Sequence, residues 1–284
     1  MPDEPARRRL TIRVTAFSLA TFFAASFTAL YLYVTYTGSG QAWDAATLGI
    51  FSGLRGERYL AVYEARDWIL FLLLAAVAVA SIEAVLRRKL AATLATFLLV
   101  GSTALVSSAF KSGILPRPDL GDFAYGYTTF PSGHSALSLA AVIALIWLGP
   151  RWLRPVVVPF LGSLVMIVAV ISLLSFAHRG SDVVGGLFLA SALGCGLVGV
   201  SAPLPSPPPR VRWAVCGGVV LAVGLLLFAS AVIAYPEPSA AGALLDPLGW
   251  ALFAVIGGAT TLTLSVQHPM SRVGAFRGVP SDAG

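Results

Sequence analysis

The sequence predicts an all-α, polytopic membrane bundle of about eight transmembrane helices, and three observations carry that expectation. Hydrophobic residues make up 57% of the chain and charged residues only 11%, less than half of the roughly 25% that a soluble domain carries. Mean hydropathy is +0.84. Apolar runs of about 20 residues recur along the chain, each long enough to cross a ~30 Å hydrocarbon layer as a helix that closes its own backbone hydrogen bonds.

In chain order the expected spans are roughly 14–36, 68–86, 90–110, 132–149, 155–177, 183–202, 213–235 and 248–266. The first follows Arg7, Arg8 and Arg9, as a signal peptide would, but its apolar part from Val14 to Tyr36 is too long for a cleaved h-region and reads as a retained span. With that basic terminus in the cytoplasm, 13 Lys and Arg residues fall on the cytoplasmic side and 6 on the outer side. The inner set comprises the N-terminal cluster, Arg13, Arg87, Arg88, Lys89, Arg151, Arg154, Arg210, Arg212, Arg272 and Arg277; the outer set is Arg55, Arg58, Arg66, Lys111, Arg117 and Arg179. This asymmetry predicts a multi-pass protein of the cell membrane with both termini cytoplasmic. It also explains the formal charge of +6 as topology signals at span ends rather than a nucleic-acid patch.

The longest loop, 37–67, lies outside by this topology. Trp43, Leu48, Phe51 and Leu54 are loosely spaced for one apolar helix face, which fits either a helix lying in the interface or an ordered loop capping the bundle. The Pro-rich stretch 203–209 cannot be helical. It divides the chain into a domain at 1–202, a cytoplasmic linker at 203–212, and two added spans with a tail at 213–284. Those two spans carry no recognisable chemistry; Glu237 and Asp246 in their loop read as solvated. Glu83 is one turn from Arg87, the spacing of an ion pair. No string of carboxylates lies inside the spans, which argues against an ion-coupled transporter. Cys195 and Cys216 read as small buried hydrophobes and His268 as an exposed interfacial residue.

The polar chemistry gathers between Lys111 and His134. Pro131-Ser132-Gly133-His134 has the form of a helix start: Ser132 can cap the first turn, and Gly133 lets a ligand approach the backbone. The free N–H groups and the dipole of such a start favour an anion such as phosphate. Lys111 adds a point charge. Arg117, stiffened by Pro116 and Pro118, adds a planar fork suited to phosphate oxygens. A second piece follows two spans later, where His178 precedes Asp182 by four residues. A carboxylate there can hold one imidazole nitrogen and leave the other as nucleophile or base. The topology puts both pieces at one membrane face. Two histidines in separate roles, with cations and helix N–H groups beside them, suit phosphoryl transfer.

These elements resemble the signature of the type 2 phosphatidic acid phosphatase superfamily, the integral-membrane lipid phosphate phosphatases. That pattern has Lys, six residues and Arg-Pro; then Pro-Ser-Gly-His; then Ser-Arg, five residues, His, three residues and Asp. The resemblance covers roughly residues 67–202, a six-span core, and the middle motif matches in full. It implies a hydrolase independent of metal and cofactor that works through a phosphohistidine. His178 would be the nucleophile, Asp182 its orienting partner and His134 the general acid, with Lys111, Arg117, Ser132 and Gly133 holding the phosphate. The chain departs from the pattern twice. Five residues rather than six separate Lys111 from Arg117, and the Ser-Arg pair falls on Ile171-Ser172, so its arginine is missing. Losing one preorganised contact of that kind costs about 3 kcal/mol. Arg179 is the first expected replacement, and Arg55 or Arg58 the next.

The expected substrate is an amphiphilic phosphate or diphosphate entering from the outer leaflet; isoprenyl diphosphates, phosphatidic acid and phosphatidylglycerol phosphate all fit. A lipid phosphotransferase would use the same residues. The reading from another class is a non-catalytic or weakly active lipid-phosphate binder on the same bundle. Nothing in the sequence selects an oligomeric state.

Overall fold

The computed structural model describes residues 4–49, 59–114, 117–121, 128–150, 154–201 and 247–267. Among these, all regular structure is helical. Eight α-helices follow in order: α1 (Glu4–Tyr36), α2 (Gly38–Ala46), α3 (Tyr59–Leu86), α4 (Leu90–Ala109), α5 (Gly133–Leu148), α6 (Arg154–Leu174), α7 (Gly180–Ser201) and α8 (Pro247–Val266). A short 3-10 turn, Thr47–Gly49, follows α2, and a π turn, Phe110–Ile114, extends α4. Five helices are long and apolar enough to cross a membrane, and the stretches Gly133–Leu148 and Ala251–Val266 are shorter apolar helices. The protein is a multi-pass helical membrane protein. Seven of the expected spans coincide with these helices; α1 and α3 start earlier, at Glu4 and Tyr59. The span expected at 213–235, the Pro-rich linker, Arg55, Arg58, Cys216, Glu237, Asp246 and His268 lie outside the described residues.

The bundle is built around α5. Ala136 and the unbroken run Leu139–Ala144 are fully enclosed, and α3, α4, α6 and α7 surround the helix. At 16 residues α5 is about 24 Å long, less than a hydrocarbon layer. Its neighbours shield it from lipid, so it need not span that layer alone. The apolar exterior is the inverse of a soluble protein's: Phe17, Phe22, Trp68, Phe71, Leu72, Val79, Ile82, Leu94, Phe97 and Leu105 on α1, α3 and α4 are exposed. Such a surface is stable only against lipid.

At the end remote from the histidines, Lys89 Nζ donates to the Leu148 carbonyl at 3.3 Å. Close by, Arg87 and Glu83 form the expected i, i+4 pair at 2.6 Å, both side chains exposed. Helix α8 joins the same bundle, packing on α6, α7 and α1. Thr263 Oγ1 donates to Ser191 Oγ at 2.6 Å, and Trp147 Nε1 donates to Gln267 Oε1 at 3.0 Å. These bonds satisfy polar groups that would otherwise be stranded in an apolar interior. Cys195 is buried as expected, packed with Phe23 and Ala259.

Candidate functional site

The site gathers at the bundle end where α1 finishes and α3, α5 and α7 begin. The starts of α5 and α7 are stitched together. Ser132 precedes α5, and its hydroxyl accepts from the Ser135 N–H at 3.4 Å, the cap expected from Pro-Ser-Gly-His. Its own N–H donates to the Asp182 carbonyl at 2.7 Å. The close approach needs two glycines on α7. A Cβ on Gly185 would lie 2.3 Å from the Phe130 ring, and one on Gly186 would lie 2.4 Å from the Ser132 carbonyl oxygen. The second clash is with backbone and cannot be relieved by a rotamer change. Gly186→Ala is therefore expected to push α7 off the start of α5 and to cost about 1–3 kcal/mol. Gly196→Ala has nothing within 4 Å of the new atom and serves as the control. Thermal unfolding in detergent separates them: equal midpoints for the two variants would show that the contact does not hold the two starts together.

Asp182 occupies the first turn of α7, fully enclosed. Its Oδ2 accepts from the Arg179 N–H at 2.9 Å and from the Thr129 hydroxyl, and lies 3.5 Å from His178 Nδ1. A carboxylate three residues into a helix that reaches back to the N–H before it is half of a capping box. One side chain thus starts the helix and faces the imidazole. His178 is 7% exposed, and with Nδ1 toward Asp182 its Nε2 is the nitrogen left for chemistry.

His134, in the first turn of α5, lies with its ring centroid 6.5 Å from that of His178. Its Nε2 is 2.8 Å from Asp67 Oδ1. An ionised carboxylate only accepts, so Nε2 carries the proton in this contact. Each histidine therefore has its own carboxylate.

Lys111 sits in the π turn that ends α4. Despite the shortened spacing to Arg117, its Nζ lies 3.5 Å from where a Cβ on Gly133 would be. The ammonium thus reaches the start of α5, and the bare Gly133 leaves room for it. A π turn re-aims the side chains it carries, and such turns recur at functional sites.

Arg117 and Arg179 meet a carboxylate that lies outside the three motifs. Both turn to Asp44, a fully enclosed carboxylate on α2. Arg117 Nη1 donates to Asp44 Oδ2 at 3.2 Å, and Arg179 Nε lies 3.6 Å from the same oxygen. Arg179, also fully enclosed, is thereby held as a counter-ion to Asp44. Helix α2 and the turn after it also cap α7: Gly180 N–H donates to Thr47 Oγ1 at 2.7 Å, and Ser181 N–H reaches Asp44 Oδ1 at 3.4 Å. Gln41 Nε2 donates to the Pro118 carbonyl at 2.7 Å and to the Thr35 carbonyl at 2.9 Å. The described part of loop 37–67 holds the short helix α2 and the turn after it, which pack over the start of α7, while Phe51 and Leu54 lie outside the described residues. Leu252 at the start of α8 adds apolar backing at Gly180.

Burial, and then the Asp182 carboxylate, push the Asp44 carboxyl up from its ordinary 3.8 to about 6; the Ser181 N–H and the guanidiniums of Arg179 and Arg117 pull the other way.

Sequence reasoning did not pick out Asp44, Arg66, Asp67 or Thr129. Arg66 is 2% exposed, in a position counted only as a topology signal. Its Nε donates to Asp67 Oδ1 at 3.2 Å. The available hint was an Arg-Asp pair at the lip of an apolar run, where charge is costly unless it is used.

Comparison with family models, curated proteins and solved structures found no match to this chain. The functional reading therefore rests on the residues and their geometry.

Proposed function

We propose that this protein is a lipid phosphate or diphosphate phosphatase of the type 2 phosphatidic acid phosphatase kind, acting through a phosphohistidine. The observation that carries the reading is the pair of imidazoles 6.5 Å apart, each against its own carboxylate, beside a lysine at a helix start. The four cations Arg66, Lys111, Arg117 and Arg179 face the three carboxylates Asp44, Asp67 and Asp182, a balance that leaves room for an anion.

On this reading, His178 Nε2 attacks phosphorus, and a P–N bond forms as the P–O bond to the lipid breaks. The leaving oxygen takes a proton from Nδ1 of His134 in its imidazolium form, while the Nε2 proton stays on the bond to Asp67. Water then attacks phosphorus and gives a proton back to His134. The P–N bond breaks, its electron pair returns to His178, and orthophosphate leaves. Lys111 and the N–H groups at the start of α5 hold the non-bridging oxygens. The basic-residue asymmetry supports an extracytoplasmic site with cytoplasmic termini. Trp68 follows Asp67 directly and stands edge to face with Phe71 at 6.1 Å, both exposed. Aromatics of this kind mark the headgroup level, which suits a lipid whose phosphate enters the site while its chains stay in the bilayer.

The test is phosphate release by purified protein from diacyl and isoprenyl phosphates in EDTA. We expect release to persist in chelator and to leave an acid-labile, base-stable phosphoenzyme when quenched in alkali. Release abolished by EDTA and restored by a divalent metal would overturn the histidine route.

A further inference from the structure

We propose that Arg66 is the cation that grips the phosphoryl group where the resemblance leaves an arginine missing, and that Asp67 is the positioning residue for His134. This rests on the phosphatase reading and extends it to two residues outside the three motifs.

A guanidinium that is 2% exposed has left water almost completely, and such a group needs partners on most of its N–H bonds. Arg66 has some of them. Its Cζ stands 4.3 Å over the Tyr63 ring, and its Nε donates to Asp67 at 3.2 Å. Its Nη1 is buried and has no hydrogen-bond partner among the described residues. An unmade bond on a buried charged donor is expensive, and an acceptor that arrives with a ligand would complete it; Arg117 Nη2 is in the same state but its guanidinium is already paired with Asp44.

The neighbours say what that acceptor is. Arg66 lies within electrostatic range of Lys111 and of His134. Two like charges held near each other repel, and an anion lying between them offsets that cost. Lys111 already reaches the start of α5 at Gly133. A phosphoryl group there would meet the Lys111 ammonium, the α5 N–H groups and the free edge of Arg66. Arg179, the first expected replacement, is instead enclosed against Asp44.

Asp67 links this cation to the acid. Its Oδ1 accepts from both Arg66 Nε and His134 Nε2, so the guanidinium and the imidazole are set by one carboxylate. The ligand class is a phosphoryl oxyanion, whether on a lipid or free.

The experiment uses the full-length protein in detergent, with Arg66→Gln, Arg66→Lys, Asp67→Asn and, as control, Arg87→Gln at the opposite end. Two readouts are taken: kcat and KM on dioleoyl phosphatidate and an isoprenyl phosphate, and the rise in thermal midpoint with inorganic phosphate. Arg66→Gln is expected to lower kcat/KM by about a hundredfold and to lose the phosphate-induced rise, with Arg66→Lys intermediate and Arg87→Gln unchanged. Asp67→Asn is expected to move the pH profile of kcat while KM stays near wild type. A folded Arg66→Gln that keeps wild-type kcat/KM and the phosphate response overturns the proposal. Should Arg66→Gln not fold, Arg66→Lys decides, and unchanged KM and phosphate response overturn it. A wild type that does not hydrolyse lipid phosphates but shows an Arg66-dependent phosphate response would sink the phosphatase reading and leave the Arg66 site standing. A wild type with neither overturns both. A response to inorganic phosphate without lipid turnover identifies the free ion as the ligand.

Discussion

His178→Ala is expected to lower phosphate release from lipid phosphates by at least about a thousandfold, the scale of losing a group on which the whole route depends. The size of the effect follows from how the imidazole is held. Asp182 faces Nδ1, while its own Oδ2 is fixed by the Arg179 N–H and Thr129. On the proposed route Nε2 is the attacking atom, and alanine removes it. His178 makes no hydrogen bond through Nδ1 shorter than the 3.5 Å pairing, so the fold loses little. The check is release by the two purified proteins, with thermal midpoints run alongside. Equally weak release from both would favour the non-catalytic lipid-phosphate binder.

Asp44→Ala is expected to produce the largest loss of stability of any single substitution at the site, about 3–5 kcal/mol. Asp44 is the counter-charge for Arg117 and Arg179, and all three side chains are at most 5% exposed. Removing it takes a counter-charge from two buried guanidiniums and an acceptor from the Ser181 N–H. The measurement is thermal unfolding in detergent, and a midpoint unchanged from wild type would mean that α2 does not clamp the site.

The same carboxyl has a pH signature. Its folded pKa of about 6 lies above the ordinary 3.8, so between those values the folded chain binds more protons than the unfolded one. Its contribution is therefore fully present below about pH 4 and is lost as pH rises through about 6. Wild type should accordingly lose more stability between pH 5 and pH 7 than Asp44→Asn does. The opposite order would contradict the cause assigned to the shift. That an ionised Asp44 is costly, and yet its removal costlier still, is the usual behaviour of a buried ion pair: desolvation opposes forming it, and truncation leaves the partner charges uncompensated.

Much of the bundle was legible because lipid imposes simple rules on sequence. A run such as 90–110 has few ways to hide its backbone except as a helix, and the observed α4 ends within a residue of that expectation. Ser132 as the cap of α5 was legible for the same reason: capping is local chemistry, settled within four residues. His178 facing Asp182 was readable from their spacing. The arginines were not. A guanidinium on a long flexible stem pairs with whichever carboxylate the fold brings near, and Asp44 lies 73 residues from Arg117 in the chain. Nothing local announces such a pair. The early start of α3 at Tyr59 had the same effect, since it carries Arg66 and Asp67 into the helix and inward rather than leaving them in a loop.

By itself, the sequence determined that this chain is a membrane bundle of helices and that its polar residues gather in two pieces, Lys111–His134 and His178–Asp182. Both follow from composition and short-range spacing, which depend only on neighbours along the chain. The tertiary structure alone decided which cation serves which anion. It turned Arg117 and Arg179 to Asp44, aimed Lys111 through a π turn at Gly133, and set Arg66 and Asp67 beside His134. The physical reason is that charge pairing in a desolvated pocket depends on distances of a few ångströms between segments far apart in sequence, and only packing sets those distances.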